Sequence, residues 1–488
     1  MSKATEVPEL GFIALMRYSW RQLTSMRTAL VLLMLLGIAA IPGSLVPQRT
    51  SNPIAVAEFI DANPDLAKFY DTISLFDVYS SPWFSSIYIL LFISLIGCVA
   101  PRSVEHYKAM RAQPPATPRN LHRLEHYQLL DGGARELERA TQWFSQKRFR
   151  VRKSGNSISA EKGYLRETGN LLFHLSLILI LVGVSFGSLF GMRGEAIVNV
   201  GERFINVPTT YDSLSFGKLT ADKALPPFEI TLDKFRAQYD PKTNAPQDYT
   251  AWVTVKDSGK TYKKTIKVNS PLTFGSTRVY LQANGYSPVV TVRDENANVV
   301  FQGPVPFLPQ DGNLRSVGSI KVPESDPQIG FVSNFYPSYS REPGRAATSI
   351  YPELLNPELL FSIFSGDLGL DSGIPQSIYR IDTEEMQNLG LGSVKPGETF
   401  TYDEGSITLE TVVPWINLQV VQDPGKSYSL IGAIVAVLGL LSSLYGRRRR
   451  IWVRVIDSGV EVAGLAKNST PGLEEEVADL ISFIKENK

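Results

Sequence analysis

One histidine in this chain stands where an imidazole is costly. The stretch Gly169 to Phe190, GNLLFHLSLILILVGVSFGSLF, is long enough to cross a bilayer and carries His174 near its start. A span takes about 20 mostly apolar residues, and His174 lies roughly 9 Å from the helix entrance at 1.5 Å per residue. At that depth an ionisable group must be neutral, paired or bound to something that offsets its burial. Two readings stand side by side: a neutral imidazole hydrogen-bonded to a neighbouring helix, or a ligand. The other histidines, His106, His122 and His126, share one polar interval. His122 and His126, in HRLEH, are spaced i, i+4 and could share a helix face as metal ligands do. No cysteine or third ligand follows at a useful spacing, so a solvated surface is the plainer reading. The single cysteine, Cys98, lies in an apolar stretch. Alone, it excludes an internal disulfide, a CxxC redox couple, a Cys-rich zinc site and a CxxCH attachment sequence. It reads as a small buried packing residue.

The elements that must position these residues are set by composition. The 488 residues are 43% hydrophobic, with a mean hydropathy near zero. That average conceals four apolar blocks separated by long polar intervals, the pattern of an integral membrane protein with soluble parts. A net charge of +1, with basic residues gathered beside the apolar blocks, argues against a nucleic-acid partner. Residues 1–27, with Arg17, Arg21 and Arg27, form a cytoplasmic N-terminus without a cleavable signal. The first span is 28–46, where Pro42 and Gly43 predict a bend or exit. A net acidic loop, 47–82, lies outside, and the second span is 83–100.

Residues 101–168 return to the cytoplasm by the positive-inside rule, since Pro101 to Glu167 holds 14 Lys and Arg against 7 Asp and Glu. After a Pro114, Pro115, Pro118 linker, a helix over 135–146 and strands over 148–152 and 157–161 predict a small α/β element. The third span is 169–190, and 191–427 is a large extracytoplasmic domain. Period-2 alternation in FEITLDKF, YTAWVTVK, TYKKTIKV, TRVYLQA and PVVTVRD, broken by Asp-Ser-Gly, Asn-Ser-Pro and Asn-Gly turns, predicts antiparallel β-structure. A second half from Gly303 to Trp415 has weaker strands and enough length for its own core. The interval has no histidine, cysteine or phosphate loop, so no hydrolytic or metal chemistry is readable in it. The fourth span, 428–445, is followed by Arg447 to Arg450, read as a topology anchor for a cytoplasmic tail, 446–488. In that tail Leu473, Val477, Leu480, Ile481 and Ile484 make one helical stripe. The fold class is therefore membrane α plus β: four transmembrane helices with an antiparallel β-rich domain between the third and fourth.

Helical arithmetic divides the third span into two faces. Asn170, Leu177, Ile178, Leu181 and Ser185 fall on the His174 side, and Ser176, Gly183 and Gly187 fall opposite. With Gly191, the glycines repeat every four residues, a spacing that lets membrane helices approach closely. The expectation is a glycine face for packing and a His174 face for a ligand, with Asn170 orienting the imidazole.

Four stretches together carry a family resemblance: SMRTALVLLMLLGIAAIPGSLVPQ, AEKGYLRETGNLLFHLSLILILVG, VNSPLTFGSTRVYLQANGYSP, and QDPGKSYSLIGA with RRRRIWVRV. In this order they resemble the ResB/CcsB family of cytochrome c biogenesis proteins, and the likeness covers nearly the whole chain. It is closer to plasma-membrane bacterial members than to thylakoid ones, which implies a multi-pass plasma-membrane protein with both termini cytoplasmic. The resemblance implies a non-catalytic subunit of the system II cytochrome c synthase, a haem lyase complex. Haem b would be bound transiently, shared with a ResC/CcsA-type membrane protein that carries the tryptophan-rich haem-handling segment. Here the six tryptophans are scattered. Haem would move outward to the CxxCH thiols of an apocytochrome c, kept reduced by a thioredoxin-like thiol reductant. His174 matches the family's third-span histidine, an axial ligand of haem iron. Neutral imidazole suits that role, and a second histidine from the partner would complete a six-coordinate site. Two other readings differ in class: a structural assembly factor that holds apocytochrome or reductant without binding haem, and an envelope sensor or transporter with a β ligand-binding domain.

Overall fold

The computed structural model describes residues 11–49, 53–124, 126–220, 225–370, 378–445, 448–466 and 472–486. Arg447 and residues 1–10 of the expected N-terminal leader lie outside them. The chain divides into two units, Phe186–Gly425 and the residues on either side of it.

In the first unit four helices are long and apolar enough to cross a membrane: Met26–Leu45, Pro82–Arg111, Leu165–Phe190 and Lys426–Tyr445. Each contains or closely matches an expected span. Pro42 does not end the first, which runs on to Leu45. The second runs eleven residues past the expected end at Ala100. Hydropathy ends there because charged residues begin, but after Pro101 nothing breaks the backbone pattern, and Lys108 and Arg111 suit the negative end of a helix. Ahead of the first apolar helix, where a polar leader was expected, Phe12–Leu23 is itself helical. The turn after it lies on the second apolar helix, where Ser94 Oγ donates to the Leu23 carbonyl at 2.6 Å and the Cys98 thiol to the Thr24 carbonyl at 2.7 Å. Cys98, expected as a buried packing residue, is only half-buried and lines the cavity that His174 also lines. The 47–82 interval is not an open loop but two short helices, Pro53–Ala62 and Pro64–Thr72, and a 3-10 turn, Leu75–Ser80. They close on Val56, Ala67 and Phe76, and Arg49 bridges Asp71 and Asp77 at their edge.

The third and fourth apolar helices run antiparallel with backbones nearly touching. A Cβ on Gly169 would fall 2.6 Å from the Gly439 carbonyl oxygen, one on Gly439 2.7 Å from the Phe173 nitrogen, and one on Gly432 2.7 Å from Ile180 Cγ1. Gly169, Ser176 and Gly183 are buried on one helix, and Gly432, Ala436 and Gly439 on the other. Small residues make such an approach possible. Gly187 and Gly191 take no part in this seam: a Cβ on Gly187 would meet the Asp423 carboxylate, and Gly191 follows the helix end.

The expected α/β element exists, but two of its strands come from the far end of the chain. Its antiparallel sheet runs in the order His126–Leu130, Gly459–Ala466, Arg449–Ile456, Ser157–Lys162, Arg150–Ser154. Helices Ala134–Gln146 and Leu473–Lys485 pack on it through Trp143, Phe144, Val477, Leu480 and Ile481. The stripe foreseen in the tail is buried there in full. The arginine run, expected only as an anchor, begins a central strand. Arg448 and Arg450 both reach Glu161, at 2.5 and 2.8 Å, Arg448 also reaches Glu167 at 2.7 Å, and Arg449 reaches Glu476 at 2.7 Å. The Glu161 side chain is fully buried, which disfavours its charge, but hydrogen bonds from Arg448, Tyr164 and Arg450 outweigh burial and hold its carboxyl below the usual range.

The second unit is antiparallel β-structure, as its alternation predicts. A seven-stranded sheet and a four-stranded sheet enclose one core around Ile230, Val253, Ile266 and Leu418. A five-stranded sheet encloses a second around Phe331, Phe335, Ile363 and Leu409. Strands Thr277–Arg293 and Gly405–Gln422 pair along most of their length and contribute to both cores. Asn284-Gly285, expected as a turn, lies inside the first of these strands. Gly285 is there because a Cβ would fall 2.5 Å from the Trp415 indole. By contrast Asp257-Ser258-Gly259 is a hairpin turn as expected, with φ of 48° at Ser258 and 77° at Gly259.

Candidate functional site

His174 projects from the third apolar helix, and its ring is held by its own helix. Nδ1 lies 2.7 Å from the Asn170 carbonyl oxygen. A carbonyl can only accept, so the proton is on Nδ1, and in the neutral ring Nε2 keeps a free lone pair. Asn170 therefore orients the imidazole, but through its backbone rather than its side chain. The Phe173 ring stands edge-on to the imidazole at 5.3 Å and narrows its freedom further. Among the described residues no hydrogen-bond partner is recorded for Nε2.

Beside the imidazole is a cavity of about 930 Å³. Its walls are Leu30, Leu33 and Leu36 of the first apolar helix, Leu91, Leu95 and Val99 of the second, and Leu177, Ile180 and Leu181 of the third. Such a volume lies at the upper end of the roughly 300–1,000 Å³ typical of small-molecule and cofactor sites. Asn170, Leu177 and Leu181 line it as the helical arithmetic predicts, whereas Ile178 does not. Ser185 is instead within 3.1 Å of the Tyr88 hydroxyl, which donates to the Leu181 carbonyl at 2.8 Å and ties the second helix to the third. The lining turns polar at Arg102, Glu105, His106, Arg166 and Glu167.

The remaining histidines separate. The extension of the second helix carries His106 into the lining of the His174 cavity. Its Nε2 is 3.0 Å from Thr168 Oγ1 and its Nδ1 3.9 Å from Glu167. The sequence signal was available: Arg102, Glu105, His106 and Ala109 follow i, i+3, i+4, i+7, one helix face if the helix continues. His122 lies in a 3-10 turn, Leu121–Arg123, and His126 in a strand opposite Gly464, so the two share no helix face. Among the described residues no three His, Cys, Asp or Glu side chains converge as a metal site. A free Nε2 in an apolar cavity of this size can act as a single axial donor to the metal of a flat, largely apolar ligand.

The profile of the ResB-like family matches residues 26–478. The chain belongs to that family. This ResB-like chain is similar to proteins named cytochrome c biogenesis protein CcsB. The one from Synechococcus sp. (strain JA-3-3Ab) is 24% identical over 475 residues, 94% of this chain and 88% of the relative. That of Prochlorococcus marinus (strain NATL1A) is 25% identical over 95% of this chain and 97% of its own length. That of Microcystis aeruginosa (strain NIES-843 / IAM M-2473) is 23% identical, with 95% and 94% covered.

Proposed function

We propose that this chain is the haem-binding subunit of a system II cytochrome c synthase. It takes haem into the cavity beside His174 and, with a ResC/CcsA-type partner, carries it outward to the CxxCH thiols of an apocytochrome c. The observation that carries the proposal is the free Nε2 of His174, aimed by the Asn170 carbonyl beside a three-helix apolar cavity. Haem is cargo here, and its iron accepts an imidazole nitrogen as axial ligand. The chain's part is to present that nitrogen, to fix the ring so that little freedom is lost on binding, and to wrap the macrocycle in leucine side chains. A second axial ligand would come from the partner, since Nε2 of His106 already lies against Thr168. In this reading the chain is a multi-pass plasma-membrane protein. Its α/β sheet and tail are cytoplasmic, by the excess of Lys and Arg over Asp and Glu between residues 101 and 167. The β-rich unit then faces outward, where apocytochrome and a thioredoxin-like reductant would be met.

His174→Ala in the complex with its partner tests the reading. The expected result is an inserted complex, nearly free of haem, with apocytochromes left unmatured; imidazole added to the medium restores part of both. Normal haem content and normal holocytochrome levels would refute the ligand role and leave an assembly factor that holds apocytochrome or reductant.

A further inference from the structure

The polar part of the His174 cavity carries two arginines that form no ion pair among the described residues. Arg102, on the second apolar helix, and Arg166, on the third, both line it. Among the described residues neither has a carboxylate within ion-pair distance; the one contact recorded for Arg102 is to the Met26 sulfur, at 2.7 Å. Of the two acids in the same lining, only Glu105 is left to offset them. Glu167 is bound to Arg448 at 2.7 Å, and Glu105 is exposed and unpaired among the described residues. Arginine's planar fork matches a carboxylate, and charge-assisted pairs of that kind give both strength and orientation. Arg166 precedes His174 by eight residues, about 12 Å along the helix axis. The cavity is therefore polarised, with a nitrogen donor and leucines in one part and, toward the other, Arg166 about two turns along the same helix and Arg102 on the second apolar helix.

We propose that Arg102 and Arg166 receive the two carboxylate arms of the cargo, which fixes its rotation in the cavity and makes the site selective for a porphyrin with free carboxylates. This inference rests on the haem-binding reading and deepens it. An amphipathic disc, its iron central and its acids on one edge, then enters with that edge toward the charged end and its apolar edge among the leucines. Adjacent to the arginines, His106 is held by Thr168 and offers a further polar contact at the same end.

The test is a titration of the full chain, in nanodiscs of neutral phosphatidylcholine, with iron protoporphyrin and separately with its dimethyl ester, which has the same iron and ring but no free acids. Binding is followed by the absorption change and by quenching of tryptophan fluorescence. The expected result is that wild type binds the free acid at least about tenfold more tightly than the ester. Arg102→Gln with Arg166→Gln should remove that preference by weakening the free acid alone, while Arg102→Lys with Arg166→Lys keeps part of it. His174→Ala should change the spectrum with both ligands. Equal affinity of wild type for acid and ester overturns the inference and assigns the arginines to membrane head-groups, with the His174 reading intact. An unchanged spectrum in His174→Ala removes the reading beneath it. The wild-type comparison needs no variant, so a misfolded arginine mutant cannot obscure the answer.

Discussion

The two faces of the third apolar helix obey opposite rules. Toward the fourth helix, Gly169, Ser176 and Gly183 are buried, and the partner presents Gly432, Ala436 and Gly439, so the backbones meet with no space for a methyl group. Toward the first and second helices, His174, Leu177 and Leu181 border about 930 Å³ of open volume. The difference lies in side-chain size. Small residues let dispersion and close backbone contact hold two helices together without a hydrophobic driving force between them. Larger ones keep the helices apart, and the gap becomes the site. Rigidity and vacancy are thus built back to back on one helix, and the seam holds the histidine still while the cavity stays open.

Closing the seam to small residues should have the largest effect. Gly439→Leu drives a side chain into the Gly169 carbonyl and the Phe173 backbone, which no rotamer relieves. Yield of monodisperse protein should fall to near nothing. Filling the cavity instead should spare assembly: Leu177→Trp is expected to leave yield close to wild type and weaken haem binding by about tenfold or more, as occupied volume excludes the ligand. If Gly439→Leu altered only the haem spectrum and Leu177→Trp only the yield, the two faces would be assigned the wrong way round.

A smaller effect is expected in the α/β sheet, which anchors both helices from one end. Glu161→Gln removes charge-assisted bonds to Arg448 and Arg450, at a cost of about 1.5–3 kcal/mol. The pH dependence has a definite sign. Because the folded-state carboxyl titrates below its ordinary 4.5, its contribution is fully present above that value. It is lost as pH falls through the lower, folded-state value. The thermal stability of wild type should therefore fall below about pH 4.5, and Glu161→Gln should show a flatter profile over that window. Least of all, replacing His122 and His126 together with alanine should leave haem content unchanged, since they lie on separate elements. Loss of haem in that double variant, with His174 intact, would add a relay outside the cavity.

His174 is legible in the sequence because a lone imidazole in an apolar run has few innocent explanations, and the helix period then assigns Leu177 and Leu181 to its side. The cavity is not legible. Its polar end depends on the second helix continuing to Arg111, and hydropathy reports where charge begins rather than where a helix stops. The seam is half legible: Gly183 falls on the packing face, but Gly432, Ala436, Gly439 and Ser443 also recur at i, i+4, i+7, i+11, a small-residue stripe that the Gly183, Gly187, Gly191 repeat overshadows. In Arg449 to Val455 the alternation of a strand is visible, yet a basic run after an apolar helix reads first as an anchor. Only tertiary pairing with Ser157–Lys162 and Gly459–Ala466 makes it the middle of a sheet. Asn284-Gly285 shows the same limit from the other side, since the glycine makes room for Trp415, a neighbour 130 positions away in sequence.

The most direct measurement is the absorption spectrum of the haem-loaded complex with this chain carrying His174→Gly, recorded without and with imidazole. If the Nε2 of His174 is the axial donor, the variant loses the low-spin six-coordinate bands, and imidazole diffusing into the vacated space restores them. A low-spin spectrum that survives His174→Gly unchanged, and does not respond to imidazole, would contradict it.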